Sequence, residues 1–305
     1  MNDILNKPSH IISLATASIL VSVDISVWSA TKQDREISNE VTDSKNADQS
    51  AGRFVKNLLA NNADHKAVVN YRQTVYNWLM RRTYDWNKTQ RTLPHVALPR
   101  FMAEYHDHEV EFNRLLDVFL ARYNTSVSDM AFKAGTMFNR NDYPTVDQVR
   151  SKFNMRLYRT EVPLGDFRCQ ISQDLADDMA EHYNKQAADI IQRILDDQSE
   201  RMVEVLTSLS HCCDVDEVKD KDGNVKIKKR KIYDTTIDKA REMIDVYKEF
   251  NLTNDTDLED ARAKLEMALR GVTVDVLREG DVSRVQVKDA VDDILSKFAP
   301  RVATI

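Results

Sequence analysis

The sequence predicts a mainly α chain with a minor β component, an α+β arrangement built on a long helical hairpin and coiled-coil-like helices. Three observations carry that reading. Glycine and proline are scarce, at six each in 305 residues, and both cost stability inside helices. Apolar residues recur at helical spacing over several long stretches. Strict alternation, the mark of a half-buried strand, is confined to short segments.

The first such segment lies near the N-terminus. Val21, Val23, Ile25 and Val27 alternate with Ser22, Asp24 and Ser26, which predicts a strand over 19–28. The apolar run Ile11 to Val23 that leads into it is too short to cross a membrane, which takes about 20 residues. It is read as structure rather than as a signal peptide, because bulky Trp28 stands where a cleavage site wants a small residue. Residues 31–50 are polar and predict a loop or arm, and a helical region follows from Gly52. Val68, Tyr71, Val75, Leu79 and Trp86 predict a helix from Lys66 to Gln90. Two prolines, Pro94 and Pro99, break it. Phe101, Tyr105, Phe112, Leu115, Phe119 and Tyr123 predict a second long helix ending near Gly135. A short link between two long helices makes an antiparallel hairpin.

Residues 153–171 read as short strands around Pro163 and Gly165. Ser172 caps a third helix, which Leu175, Met179, Tyr183, Ile190, Ile194, Met202, Val205 and Leu209 carry to about residue 209. At 1.5 Å per residue it spans roughly 55 Å. A helix of that length packs in a coiled-coil-like pair or against another subunit. Residues 218–231 predict a β-hairpin turning at Asp222-Gly223. Three further helices follow, one capped by Thr235 or Thr236, one by a Thr256–Glu259 capping box, and a last one over 285–298. The chain divides into residues 1–150, strand plus helical hairpin, and residues 151–305. The whole is expected to be elongated.

Sites built on glycine are excluded, because no two of the six glycines fall close enough for a phosphate-binding loop or a nucleophile elbow. The three cysteines, Cys169, Cys212 and Cys213, are odd in number and lack a CxxC, which suits a reducing cytoplasm. Glu104, His108 and Glu111 share a helical face and could reach a metal, but a charged helical surface has the same composition. Adjacent Cys212 and Cys213 do not suit a tetrahedral zinc site. The Asp220–Gly223 stretch fails as a calcium loop, because the twelfth ligand position falls on Lys229. No triad can be argued, and neither cofactor, metal nor catalytic residue is expected.

Charge is more informative. Residues 66–100 hold seven basic groups and one acid, and residues 219–231 hold seven basic groups and two acids, in a chain whose net charge is −6. The remaining 257 residues therefore sum to −17. Positive charge concentrated in an acidic chain points to an anionic partner. On the helical wheel, Tyr76, Met80, Tyr84, Lys88 and Arg91 lie opposite the core stripe. Two readings stand for this face: packing against another helix or subunit, or base stacking with phosphate contact to single-stranded nucleic acid. The nucleic-acid reading assigns Arg72, Tyr76, Arg81, Tyr84, Lys88 and Arg91, with Lys226, Lys228, Lys229, Arg230 and Lys231 of the hairpin.

The segment Leu20-Val-Ser-Val-Asp-Ile-Ser-Val-Trp28, the polar stretch and helical hairpin after it, the segment Phe250-Asn-Leu-Thr-Asn-Asp-Thr-Asp-Leu258, and Leu277-Arg278 with Arg284 resemble a phage and bacterial family defined only as a domain of unknown function. The resemblance covers about two thirds of the chain and brings no catalytic residues. Genes of that family lie near those of a MoxR-type AAA+ ATPase and a von Willebrand A-type protein. The resemblance thus implies a phage-type adaptor or scaffold with an AAA+ ATPase partner, working in the host cytoplasm. The basic hairpin is not part of the family pattern and reads as an insertion. The expectation is a non-enzymatic, homo-oligomeric interaction protein without membrane association, with single-stranded nucleic-acid binding as the alternative.

Overall fold

The computed structural model describes residues 14–163, 173–219, 225–249 and 256–302. The protein is mainly helical with small sheets. In chain order the elements are β1 (Ser18–Ser26), β2 (Thr31–Asp34), α1 (Arg35–Ser44), β3 (Phe54–Asn57), α2 (Ala63–Arg82), β4 (Tyr84–Asp85), β5 (Arg91–Pro94), α3 (Leu98–Ala134), α4 (Val146–Arg150) and β6 (Asn154–Glu161). Then come α5 (Gln173–Cys213), β7 (Val215–Lys219), β8 (Val225–Lys229), α6 (Asp234–Glu249), α7 (Thr256–Ala268), α8 (Val274–Glu279) and α9 (Asp281–Val302). One sheet has the order β4-β5-β1-β6, and β2–β3 and β7–β8 form two-stranded ladders. No helix among the described residues is long and apolar enough to cross a membrane.

The chain folds as two compact units that interleave in sequence, rather than as halves divided at residue 150. The first unit comprises Met1–Leu20, Thr83–Leu98 and Thr160–Ile305, and the second comprises Val21–Arg82 and Pro99–Arg159.

In the second unit the expected helical hairpin is present as α2 and α3. Trp78 stacks on Phe101 at 4.6 Å, Tyr71 meets His108, and Asn62 donates to Ser126 at 2.8 Å. As one number of each pair falls the other rises, so the helices run antiparallel. α3 buries Phe101, Tyr105, Phe112, Leu116, Phe119, Tyr123, Val127 and Met130, the three-and-four spacing of a single apolar stripe. It stops where Gly135 takes φ +55°, a left-handed conformation that glycine adopts without steric cost. Pro99 stands in its first turn, where a missing N–H costs nothing.

Three expectations for this part are corrected. Residues 31–50 are not a loop: β2 pairs with β3 from Thr31↔Asn57 to Asp34↔Phe54, and Asp34 caps α1 by accepting from the Ile37 amide. The region from Gly52 begins with β3 rather than a helix. The helix expected over 66–90 ends at Arg82. There Thr83 and Tyr84 enter an extended ladder, Tyr84↔Thr92 and Asp85↔Arg91. The intervening turn is held by Asn87 Oδ1, which accepts from the Thr89 and Gln90 amides, a side-chain mimic of a backbone turn.

Lys56 knots this unit together. It lies 2.7 Å from the Asp34 carboxylate and 2.6 Å from that of Asp142, while Lys32 reaches the other Asp142 oxygen at 2.7 Å.

In the first unit α5 is the spine. It contains no glycine or proline and buries Ala187, Ile190, Ile194, Gln198, Met202, Leu206, Leu209 and Cys213. Its C-terminal half shares a core with α6, α7, α8 and α9, through Ile237, Ile244, Leu265, Leu277, Val291 and others. Further toward its N-terminus, Ile190 and Ile194 pack with Leu14 and Tyr84. The apolar face that motivated a second subunit is therefore covered by the chain's own elements from Ala187 onward.

The strand expected within 153–171 is present as β6, and the part of that expectation over 164–171 lies outside the described residues, as do the turn at Asp222-Gly223 and the Phe250–Asp255 segment. α6 starts at Asp234, just ahead of the threonines expected to cap it. The last helix is longer than 285–298, and α8, capped by Thr273 on the Val276 amide at 3.3 Å, was not anticipated.

Candidate functional site at the root of the basic hairpin

The hairpin grows from the end of α5. β7 and β8 pair antiparallel from Val215↔Lys229 to Lys219↔Val225, so the ladder begins two residues after the helix ends. The last carbonyls of any helix lack intrahelical donors and carry its negative dipole end. Here Arg284 of α9, 3% exposed, supplies the donors. Its Nε donates to the Cys213 carbonyl (2.9 Å), and the two Nη2 hydrogens are shared among the carbonyls of Cys212, Asp214 (3.2 Å) and Arg230 (2.7 Å). One planar fork thus ties the helix end to both strands, which a lysine's point charge does not do.

A second set of bonds closes the root. The Arg230 amide donates to the Asp214 carbonyl at 3.4 Å. The Arg230 guanidinium lies 2.7 Å from His211 Nδ1 and 3.6 Å from the Asp214 carboxylate. Arg278 donates twice to the Ile232 carbonyl, at 3.0 and 3.3 Å. Ser210 donates to Asp292, which also pairs with Lys288 at 2.7 Å. The Cys213 thiol sits inside this packing, and burial pushes it up to about 11 against the pull of Arg284. A thiol so high is a poor nucleophile at neutral pH. Cys213 is therefore a core residue at this root.

The hairpin residues singled out from the sequence fall on this element. Lys226 and Lys228 occupy alternate positions of β8, opposite Val218 and Asp216. Lys229 ends the strand, and Lys229 and Lys231 are exposed.

The aromatic basic face of the helical wheel is not assembled as expected. Arg72, Tyr76 and Arg81 lie on α2 in the second unit, with Arg72 over the Tyr76 ring at 5.4 Å. Tyr84, Lys88 and Arg91 lie beyond the end of α2, in the first unit. Lys88 is exposed in the β4–β5 turn. Tyr84 is 1% exposed, with Arg201 over its ring at 4.9 Å and its hydroxyl accepting from Gln198 at 3.3 Å. Burial pushes its hydroxyl up to about 12. Arg91 is buried too, donating to the Thr83 hydroxyl and carbonyl and pairing with Asp85. Tyr84 cannot stack on a base and Arg91 cannot meet a phosphate while they hold these positions. The helical wheel misplaced them because it ran the helix through a β-turn.

The Glu104, His108 and Glu111 side chains are engaged by protein groups. Glu104 accepts from Trp78 Nε1 at 2.6 Å, from Arg82 twice at 2.9 Å, and from Arg100 at 3.0 Å. Burial pushes this carboxyl up, but those donors outweigh it and hold it below the usual range. His108 Nδ1 bonds the Tyr71 hydroxyl at 2.7 Å, and Glu111 pairs with Arg114. Among the described residues no group of three or more His, Cys, Asp or Glu side chains is placed to hold a metal.

No protein-family model, curated protein or solved structure matches this chain.

Arg284 was visible in sequence as one member of a resemblance, but its role was missed. The available signal was its position: Arg284, Val287, Val291 and Ile294 share one face of α9. An arginine on an apolar stripe must find partners for its donors.

Proposed function

We propose that this protein is a helical interaction protein, an adaptor or scaffold, whose docking element is the basic hairpin and whose partner is anionic. The observation that supports this most is the Arg284 clamp. The most basic stretch of an acidic chain is carried on a short ladder held at its base by a buried guanidinium. Fixing a charged element before it meets its partner lowers the ordering cost of binding. A complementary charge also speeds encounter and sets register. The AAA+ ATPase implied by the family resemblance and a second copy of this chain are the protein partners to test.

The test is capture from host cells by the tagged wild type and by a variant with Lys226, Lys228, Lys229 and Lys231 changed to Gln, each with and without nuclease. Loss of the captured partner in the variant, at an unchanged melting temperature, supports the reading. Equal capture by both proteins overturns it. A partner lost only on nuclease treatment assigns the hairpin to nucleic acid.

A further inference from the structure

We infer that the surface the basic hairpin fits is the acidic exposed face of α5 on a second copy of this chain, and that two copies dock reciprocally as an antiparallel pair. The inference rests on the hairpin being a docking element, as proposed above, and names its partner.

Between residues 174 and 204, α5 carries nine carboxylates against three basic side chains. Asp174, Asp178, Glu181 and Asp189 are exposed. At 100° per residue they fall within one arc, which exposed Lys185 shares, opposite the buried Ala187, Ile190 and Ile194, so the face carries four carboxylates against one ammonium. The hairpin stands at the other end of the same helix. Its sequence from 226 to 231 is Lys-Ile-Lys-Lys-Arg-Lys. The two surfaces are complementary in charge, and both belong to the first unit.

Reach decides that they meet between chains. Asp189 and Cys213 are separated by 24 residues of helix, about 36 Å of rise. Lys226 pairs with Val218, four residues from the root, so it extends about 14 Å from the helix end. A chain cannot lay its own hairpin on its own Asp178–Asp189 face. Two copies with α5 antiparallel bring each hairpin beside the other's acidic half. Both contacts form together under a two-fold axis, so the assembly closes at a dimer. Each contact is electrostatic, so salt screens it.

Light scattering and sedimentation of the full chain test this at about 50 mM and about 500 mM salt. The wild type should be a dimer at low salt, with dimerisation weakened at least about tenfold at high salt. One variant reverses the hairpin (Lys226→Glu, Lys228→Glu, Lys231→Glu). A second reverses the helix face (Asp178→Lys, Glu181→Lys, Asp189→Lys) and leaves Asp174 in the first turn, where a carboxylate favours the helix dipole. Each variant alone should be monomeric at low salt with its circular dichroism melt retained. An equimolar mixture of the two should pair, and so should the chain carrying all six changes. A wild type that is monomeric at low salt overturns the inference, as does a six-fold variant that fails to pair while it melts as the wild type does. If the hairpin variant loses captured partners or oligonucleotide binding while the helix-face variant leaves the mass unchanged, the second-copy inference fails and the docking reading survives.

Discussion

Replacing Arg284 by Ala removes the group that joins the end of α5 to both strands of the hairpin. Four carbonyls lose the three charge-assisted N–H donors, one Nε–H and two Nη2–H, that they share. Hydrogen bonds to a charged group contribute about 1.5–3 kcal/mol each, but these four share one guanidinium. The part-buried carbonyls of Cys212, Asp214 and Arg230 recover water, so the sum is well short of four independent bonds. A loss of about 3–5 kcal/mol is expected, comparable to breaking a buried ionic network. For a unit of this size that lowers the melting temperature by about 6–20 °C. Arg284→Lys keeps the charge but replaces a fork with a point donor, and it should fall between wild type and Ala. Circular dichroism melts give the stability, and hydrogen exchange at the Arg230 amide, which donates to Asp214, reports the hairpin root. Both variants melting within about 0.5 kcal/mol of wild type, with exchange at Arg230 unchanged, would refute the clamp.

Further outcomes follow from the same kind of reasoning. Tyr84→Phe should cost about 1 kcal/mol through the lost hydroxyl contact, and Tyr84→Ala about 3–5 kcal/mol through the cavity; neither should change oligonucleotide affinity measured by anisotropy, because the ring is buried. For Asp142, burial raises the carboxyl, but Lys32 and Lys56 outweigh it and hold it below its ordinary value; Asp34 is lowered as well, chiefly by Lys56. A carboxyl depressed on folding adds stability that is present above its unfolded value, near 3.8, and is lost as pH falls through the folded value. Melts of wild type should therefore drop steeply in acid below about pH 4, and Lys56→Met should start lower and show a flatter drop; parallel curves would contradict the bridging role. Glu104→Gln leaves Arg82, Arg100 and Trp78 facing a neutral amide, which should cost about 2–3 kcal/mol by denaturant titration, with no response to added zinc or manganese in either protein.

What was legible in the sequence follows the physics of each signal. α3 and α5 declared themselves because an apolar stripe repeated over many turns has no other stable use, and Gly135 marked an end that the backbone needs. The hairpin was legible from alternation around an Asp-Gly pair. α1 was hidden because the residues it buries, Ser38 and Thr42, are polar and are satisfied by carbonyls within the helix. The end of α2 was hidden because Trp86 continues the helical spacing of Val75 and Leu79 by coincidence, while the Asn87 turn competes for the backbone. That one misplaced boundary carried Tyr84 and Arg91 from a supposed surface into a core. The root of the hairpin was illegible for a different reason: it joins residues 212–214, 230 and 284, and only the tertiary fold brings them together.

The interleaving of the two units has a consequence for the order in which the protein is made. The chain passes between units after Leu20, Arg82, Leu98 and Arg159. Every residue of the second unit has been synthesised once Arg159 is added, whereas the first unit keeps Leu14 and Tyr84 waiting for Ile190 and Ile194. The Arg284 clamp comes later still. During that interval Leu14 and Tyr84 lack the α5 side chains that bury them, and contacts of such high sequence separation close slowly. A ribosome-bound chain stalled shortly past Arg159 should already protect α2 and α3 from protease while leaving Tyr84 open to cleavage. Release of the complete chain should close that site, which makes Tyr84 a reporter of when the first unit is finished.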